Sequence, residues 1–192
     1  MRPFHPAQFK PSSSAMAVAA VLAHRDIHPA RADEISEARD MAARRIGSAI
    51  VGSDALQQVQ DRSGSALFVT RGPSGLTGVL AIIPLTLDGL RALETGQFDG
   101  LSPKLEQITS AGEEPAALYV WGIAAVRKMA GAWLSNGLLA VFDEAVPHLP
   151  IFATPATPQG DHLLRRVGFE SYPGSSTGLL RREPAALRRV AA

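Results

Sequence analysis

Arg127 and Lys128 stand just behind the bulky apolar run Leu118-Tyr119-Val120-Trp121-Gly122-Ile123 and just ahead of the small residues Ala130-Gly131-Ala132. A buried strand that turned into a helix at this point would bring backbone N–H groups and two cations to one spot, a cradle for a phosphate-like anion. A plain helix start with two solvated cations is the simpler alternative. Groups able to move protons are scattered around it. Tyr119 lies on the apolar run and Tyr172 on a later one, and either phenol is a candidate acid; a core or edge tyrosine with a satisfied hydroxyl is the bland counterpart. Glu114, next to Glu113, precedes the run and is a candidate base for an attacking ammonium, set against two solvated loop acids. His162 is read as a solvent-facing histidine. Trp121 either walls a pocket or fills core.

Other clusters point to less. His24, Asp26 and His28 would share one face of a strand, but no fourth ligand is in view, so no metal is expected. Arg165-Arg166, Arg181-Arg182 and Arg188-Arg189 offer a basic face or a set of solvated element ends. Interleaved aromatics and a large positive charge are both lacking, so nucleic acid is not an expected partner.

The elements that must position these groups follow from periodicity. Residues 1–14, rich in proline and serine, read as an extended arm, and 15–192 as one domain. Val18 to Leu22 is open between strand and helix. From Asp33, Ile35, Ala38, Ala42, Ile46 and Ala49 recur at helical spacing, with Gly52 as a stop and Glu34, Glu37, Arg39, Asp40 and Arg44 on the solvated face. A short helix over 54–61 precedes strands at 66–70 and 76–83, joined by Gly72-Pro73-Ser74-Gly75 into a hairpin that Pro84 ends. Thr86 caps a helix, and 96–112 is a long loop suited to bordering a substrate site. After the strand at 116–123, Leu134, Leu138, Val141, Phe142 and Ala145 share a helix face that Pro147 closes. A strand at 151–154, a helix opened by Thr157-Pro158 with Leu163, Leu164 and Val167 inward, and a hairpin over 170–182 complete the chain.

Composition sets outer limits. The chain has 192 residues, 46% of them hydrophobic and 19% charged, enough for one sizeable core. A formal net charge of +1 provides no bulk attraction to nucleic acid or anionic membranes. The chain contains no cysteine, which excludes disulfides, thiolate metal sites and a cysteine nucleophile and fits a cytoplasmic setting. The apolar run Ala15–Ala23 is too short to cross a bilayer, and Pro3, Pro6 and Pro11 ahead of it argue against a secretion signal.

The ending Arg165-Arg166-Val167-Gly168-Phe169 resembles the "YEKLGF"-type close of the GCN5-related N-acetyltransferases (GNATs), and Ile27 to Ile35 resembles their opening strand and turn. The order of elements from about Asp33 to Arg182 is similar too. The resemblance implies an α/β (α+β) fold: a mixed, mostly antiparallel central sheet with helices on both faces and a splayed pair of central strands, here 118–123 and 151–154. It implies acetyl-CoA or another acyl-CoA as cosubstrate. The pantetheine arm would lie in the splay against Val120, Trp121 and Gly122. The pyrophosphate would sit on Arg127, Lys128, Ala130, Gly131 and Ala132, with Thr157 nearby.

The match is not uniform. Against the family's R/Q-x-x-G-x-G/A, Ala130 replaces the first glycine and Gly131 stands one place off; a gapless register puts Ala125, Lys128 and Ala130 at the key positions. Leu164 occupies the usual position of the tyrosine acid, and Thr157 that of a frequent asparagine. The resemblance implies an N-acyltransferase in which a small-molecule or peptide amine attacks the acyl group directly, with Tyr119, Glu114 and Tyr172 as the candidate catalytic groups. The alternative is a non-catalytic module of the same fold with a degenerate CoA site. A homodimer is a further expectation.

Overall fold

The computed structural model of the chain describes residues 13–47, 50–175 and 177–185. Helix α1 (Ser13–Ala23) resolves the open segment in favour of helix and also takes in Ser13 and Ser14, which composition had assigned to the arm; residues 1–12 of that arm lie outside the described residues. Val18 and Leu22 carry α1 into the core. Strand β1 (His28–Pro29) and a 3₁₀ turn (Ala32–Glu34) lead into α2 (Ile35–Ile46), which buries Ile35, Ala38 and Met41. The helix stops at Gly47, whose φ of 68° is left-handed and suits glycine, rather than at Gly52. Gly52 is instead the N-cap of α3 (Ser53–Ser63), and Ala49 lies outside the described residues.

Glu34 corrects the sequence reading more sharply. Expected on the solvated face, it is 5% exposed and grips Arg71, with Oε1 accepting from Nε at 2.7 Å and Oε2 from Nη2 at 2.6 Å. Arg31 adds its Nη2 at 3.0 Å and its backbone N–H at 2.8 Å. The carboxylate thus ties the entry of α2 to the strand carrying Arg71.

That strand, β2 (Leu67–Gly72), forms the expected hairpin with β3 (Gly75–Leu85), which runs through Pro84 instead of ending there. The Pro84 carbonyl accepts from Thr109 N–H at 2.9 Å, so the missing proline donor leaves β3 bonded on its acceptor side. Thr86 caps α4 (Leu87–Glu94), accepting from Gly89 N–H at 3.1 Å. Strand β4 (Ala117–Ala125) precedes α5 (Lys128–Ala140), which continues as a π-helical turn over Val141–Ala145; Leu134, Leu138, Val141, Phe142 and Ala145 are all buried. Strand β5 (Ile151–Ala153), helix α6 (Pro158–Arg166), β6 (Glu170–Ser171) and β7 (Leu180–Arg182) complete the described chain. Between α6 and β6, Gly168 has φ 90°, a conformation that favours glycine at this tight turn. Ser176 of the final hairpin and Arg188-Arg189 lie outside the described residues.

The seven strands form one sheet in the order β1-β2-β3-β4-β5-β7-β6. Every pairing is antiparallel except β4 with β5, whose parallel alignment requires a crossover, here α5. Period-two alternation sends Phe68, Leu80, Ile82, Leu118 and Val120 to one face, against α1, α5 and α6. Leu67, Val69, Val79 and Ala81 point to the other face, against α2 and α3. No helix among the described residues is long and apolar enough to cross a membrane.

Candidate active site

The parallel pair at the centre of the sheet comes apart partway along. Leu118, Tyr119 and Val120 of β4 face Ile151, Phe152 and Ala153 of β5, and there the pairing ends while β4 continues to Ala125 with β3 alone. On the β3 side the register jumps from Ala81↔Gly122 to Ile82↔Val120, leaving Trp121 as the extra residue of a bulge. A bulge bends its strand and re-aims side chains. Bulge and divergence therefore coincide, and β4 turns an open backbone edge toward the gap.

Two cavities meet at that gap. On the α5–α6 side a groove runs past Val120, Leu138, Thr157, Gly160, Leu164 and Val167. On the α2 side lies a chamber of about 260 Å³ bounded by Ala42, Leu56, Val79, Ala81, Tyr119 and Leu101, among others. Trp121, Gly122, Ile123, Thr154, Pro155 and Ala156 border both. A Cβ placed on Gly122 would meet no atom within 4 Å, so this stretch of β4 faces open space.

The expected site residues distribute unevenly around this arrangement. Val120, Trp121, Gly122 and Thr157 line the groove, and Thr157 also spends its side-chain oxygen on capping α6 through Gly160 N–H at 3.1 Å. Arg127 is the N-cap of α5 and Lys128 its first residue; Met129, Ala130 and Gly131 complete the first turn and Ala132 opens the second. This turn lies past the end of β4, outside the walls of both cavities. No side chain among the described residues caps the helix; Gly131 N–H is taken by the Arg127 carbonyl at 3.1 Å, which leaves the N–H groups of Lys128, Met129 and Ala130 for an outside acceptor. Arg45 of α2 reaches the same corner, its Nη2 donating to the Val126 carbonyl at 2.9 Å. Sequence reasoning missed this third cation, which is 81 positions away from the group it touches.

Of the three candidate catalytic groups, the structure brings only Tyr119 to the gap. Its ring makes an edge contact with Phe98 at 5.4 Å, and Thr154 lies with it on the chamber wall. Burial holds the phenol above its ordinary pKa, partly offset by Thr154, so it keeps its proton at neutral pH. Glu114 is placed differently from the expectation: Oε1 accepts from Ser14 N–H at 3.3 Å, at the end of β4 away from Trp121. Seven residues of near-extended chain put it on the order of 20 Å from the bulge. Tyr172 lines neither cavity, but its ring is edge-on to Phe152 at 5.7 Å, in the same cluster as Tyr119 and Trp121. Burial, then a hydrogen bond to Glu94, raises its pKa.

The remaining groups settle into structural roles. His162 is exposed on α6. His28 Nε2 lies 2.9 Å from Asp26 Oδ1, and among the described residues no three of His, Asp and Glu converge as metal ligands would. Arg165 pairs with Asp161, Arg181 with Glu183 and Arg182 with Asp143, so these arginines hold element ends rather than forming a free basic face. The loop at 96–112 does border the site. Gly100 and Leu101 line the chamber, and the Gly100 carbonyl accepts from Trp121 Nε1 at 2.7 Å, fastening the loop to the bulge.

No protein-family model and no curated protein matches the sequence. Solved structures do match in shape. The chain is similar to Naa20 of Chaetomium thermophilum in complex with a bisubstrate analogue: TM-score 0.55 and 12% identity, over 85% of this chain and 89% of that one. It is also similar to GphF, a GNAT-like decarboxylase in complex with isobutyryl-CoA: TM-score 0.54 and 12% identity, over 82% of this chain and 98% of the other. At such identities the likeness is one of architecture, and the architecture is the GNAT fold.

Proposed function

We propose that this GNAT-fold chain is an acyl-CoA-dependent N-acyltransferase that moves an acetyl or short acyl group to an amine. The observation that carries the reading is the divergence of β4 from β5 beyond Val120 and Ala153, with a groove on one side and a chamber open to solvent on the other. Two structures of similar architecture contain an acyl-CoA or a bisubstrate analogue, which supports a ligand of this class here.

The residues present fit such a cosubstrate. The free edge of β4 at Trp121 and Gly122 offers backbone groups to an extended amide-bearing arm, and the open space at Gly122 leaves room for it. The first turn of α5, with Arg127, Lys128 and Arg45 around it, suits a pyrophosphate. Acyl-CoA supplies an activated thioester. Backbone N–H donors on β4 hold its carbonyl oxygen, so that an amine in the chamber is oriented for direct attack without a covalent enzyme intermediate. Tyr119, which keeps its proton and lines the chamber beside the shared wall, is the phenol on the acceptor side of the gap and the candidate acid. A chain without cysteine suits a cytoplasmic enzyme.

A second reading, a binding module of the same fold without catalysis, is favoured by one observation: Leu164, buried in the groove wall, occupies the position where the family carries its acid. Calorimetry with acetyl-CoA on the purified chain and on Arg127→Glu tests the site. Saturable binding weakened at least about tenfold by the charge reversal is expected. No binding by the unmodified chain would overturn the cosubstrate assignment, and binding without release of thiol for any amine would favour the module.

A further inference from the structure

We infer that the chamber selects a neutral aromatic amine as acceptor, an inference that rests on the acyl-transfer reading above. An apolar cavity of about 150 Å³ is enough to hold benzene, so the 260 Å³ here accommodates a substituted ring. Ala42, Leu56, Val79 and Ala81 supply aliphatic surface, and Tyr119 and Trp121 supply aromatic surface.

The polar inventory of the wall is short and partly committed. The Tyr119 phenol and the Thr154 hydroxyl are the neutral hydroxyl-bearing groups of the wall, and Trp121 Nε1 is taken by the Gly100 carbonyl. Arg39 is the one charged side chain among the described lining residues, and it is held by the Val51 carbonyl at 3.4 Å and Asp40 Oδ1 at 3.1 Å. No aspartate, glutamate or histidine lines the chamber among the described residues.

Two consequences follow for a guest. An ammonium seated against this wall would give up part of its water with no carboxylate among the described lining residues to replace it, and Arg39, already paired with Asp40, offers it no partner. Nor does the wall hold a base to remove the ammonium proton, so attack needs an amine that is already neutral. An alkylamine with a pKa near about 10, like that of lysine, is almost wholly protonated at neutral pH. An arylamine, its lone pair shared with the ring, is not. In the transfer, the aryl N–C bond forms as the acyl C–S bond breaks, and the proton shed by nitrogen ends on the departing thiol, giving an N-aryl amide and free CoA.

A matched pair of probes tests this: 4-ethylaniline and 4-ethylcyclohexylamine, alike in size but neutral and cationic respectively at about pH 7.5. Binding of each to the full chain is measured by calorimetry, transfer from acetyl-CoA is followed by thiol release, and acetyl-CoA binding is titrated separately. The aniline is expected to bind at least about tenfold more tightly than its cationic counterpart and to be the faster acceptor. Ala42→Phe, which fills the chamber from α2, should weaken aniline binding by a similar factor with acetyl-CoA affinity unchanged. Equal or tighter binding of the cyclohexylamine overturns the inference, as does failure of the unmodified chain to bind the aniline while acetyl-CoA binds. If the aniline binds and acetyl-CoA does not, the transferase reading falls and the role as acceptor falls with it.

Discussion

Replacing Glu34 with glutamine removes a charge that four groups converge on: Arg71 Nε at 2.7 Å and Nη2 at 2.6 Å, Arg31 Nη2 at 3.0 Å and the Arg31 backbone N–H at 2.8 Å. Breaking a buried ion pair from one side costs about 3–5 kcal/mol, because the remaining charge is stranded. Here Arg71 is 32% exposed and Arg31 65%, so water takes up part of that loss. We expect Glu34→Gln to cost about 2–3 kcal/mol, or roughly 5–10 °C in Tm for a chain of this size. Urea unfolding of Glu34→Gln, Arg71→Met and the double variant should give a coupling energy of about 2 kcal/mol.

The acid limb of the pH–stability curve provides a second readout. Hydrogen bonding from Arg71 lowers the Glu34 pKa, opposed by burial and aided by the Arg31 backbone N–H. A carboxyl with a lowered folded pKa contributes stability that is present above its ordinary pKa and is lost as pH falls through the folded value. Glu34→Gln should therefore flatten the fall in stability below the usual carboxylate range. A cost under about 0.5 kcal/mol with no coupling would refute the reasoning and place the pair among ordinary surface contacts.

Two further substitutions test how the loop at 96–112 is held. Gly89→Ala favours helix by about 1 kcal/mol in isolation, but the new Cβ would lie 2.1 Å from the Gln107 carbonyl oxygen, which also accepts from Thr86 N–H. The sign should reverse, to a net loss of about 2 kcal/mol by thermal unfolding; unchanged or raised stability would show that the 3₁₀ turn Leu105–Gln107, which carries this carbonyl, yields freely. Trp121→Phe keeps an aromatic, though smaller, side chain and removes the bond to the Gly100 carbonyl, worth about 1 kcal/mol. Amide exchange around Gly100 should speed up about fivefold, and no change would mean that packing alone holds the loop.

Most of the secondary structure was readable because its causes are local. The caps at Thr86 and Thr157, the helix face Leu134–Leu138, the hairpin turn at 72–75 and the glycine before Phe169 each act within a few residues. The cation corner at the start of α5 was half-readable for the same reason: Arg127 and Lys128 adjoin that helix, whereas Arg45 arrives from α2. Glu34 shows where local reading ends. Helical periodicity placed it on the wet face, and only the arrival of Arg71, 37 positions away, makes it a buried partner.

The two cavities belong wholly to that second kind of information. Spacing marks Trp121 and Tyr119 as large residues on a strand, but the bulge that makes Trp121 unpaired exists only in the register between β3 and β4. Glu114, Tyr119 and Tyr172 looked alike as candidates in the chain. Strand length and sheet order separate them: Tyr119 lines the chamber, Tyr172 packs on Phe152 without lining either cavity, and Glu114 lies toward the opposite end of β4. Hydrophobic pattern and turn chemistry act over a few residues and so are written in order along the chain. Which strand edge is left open, and which side chains share a wall, depend on contacts between distant segments that exist only after packing.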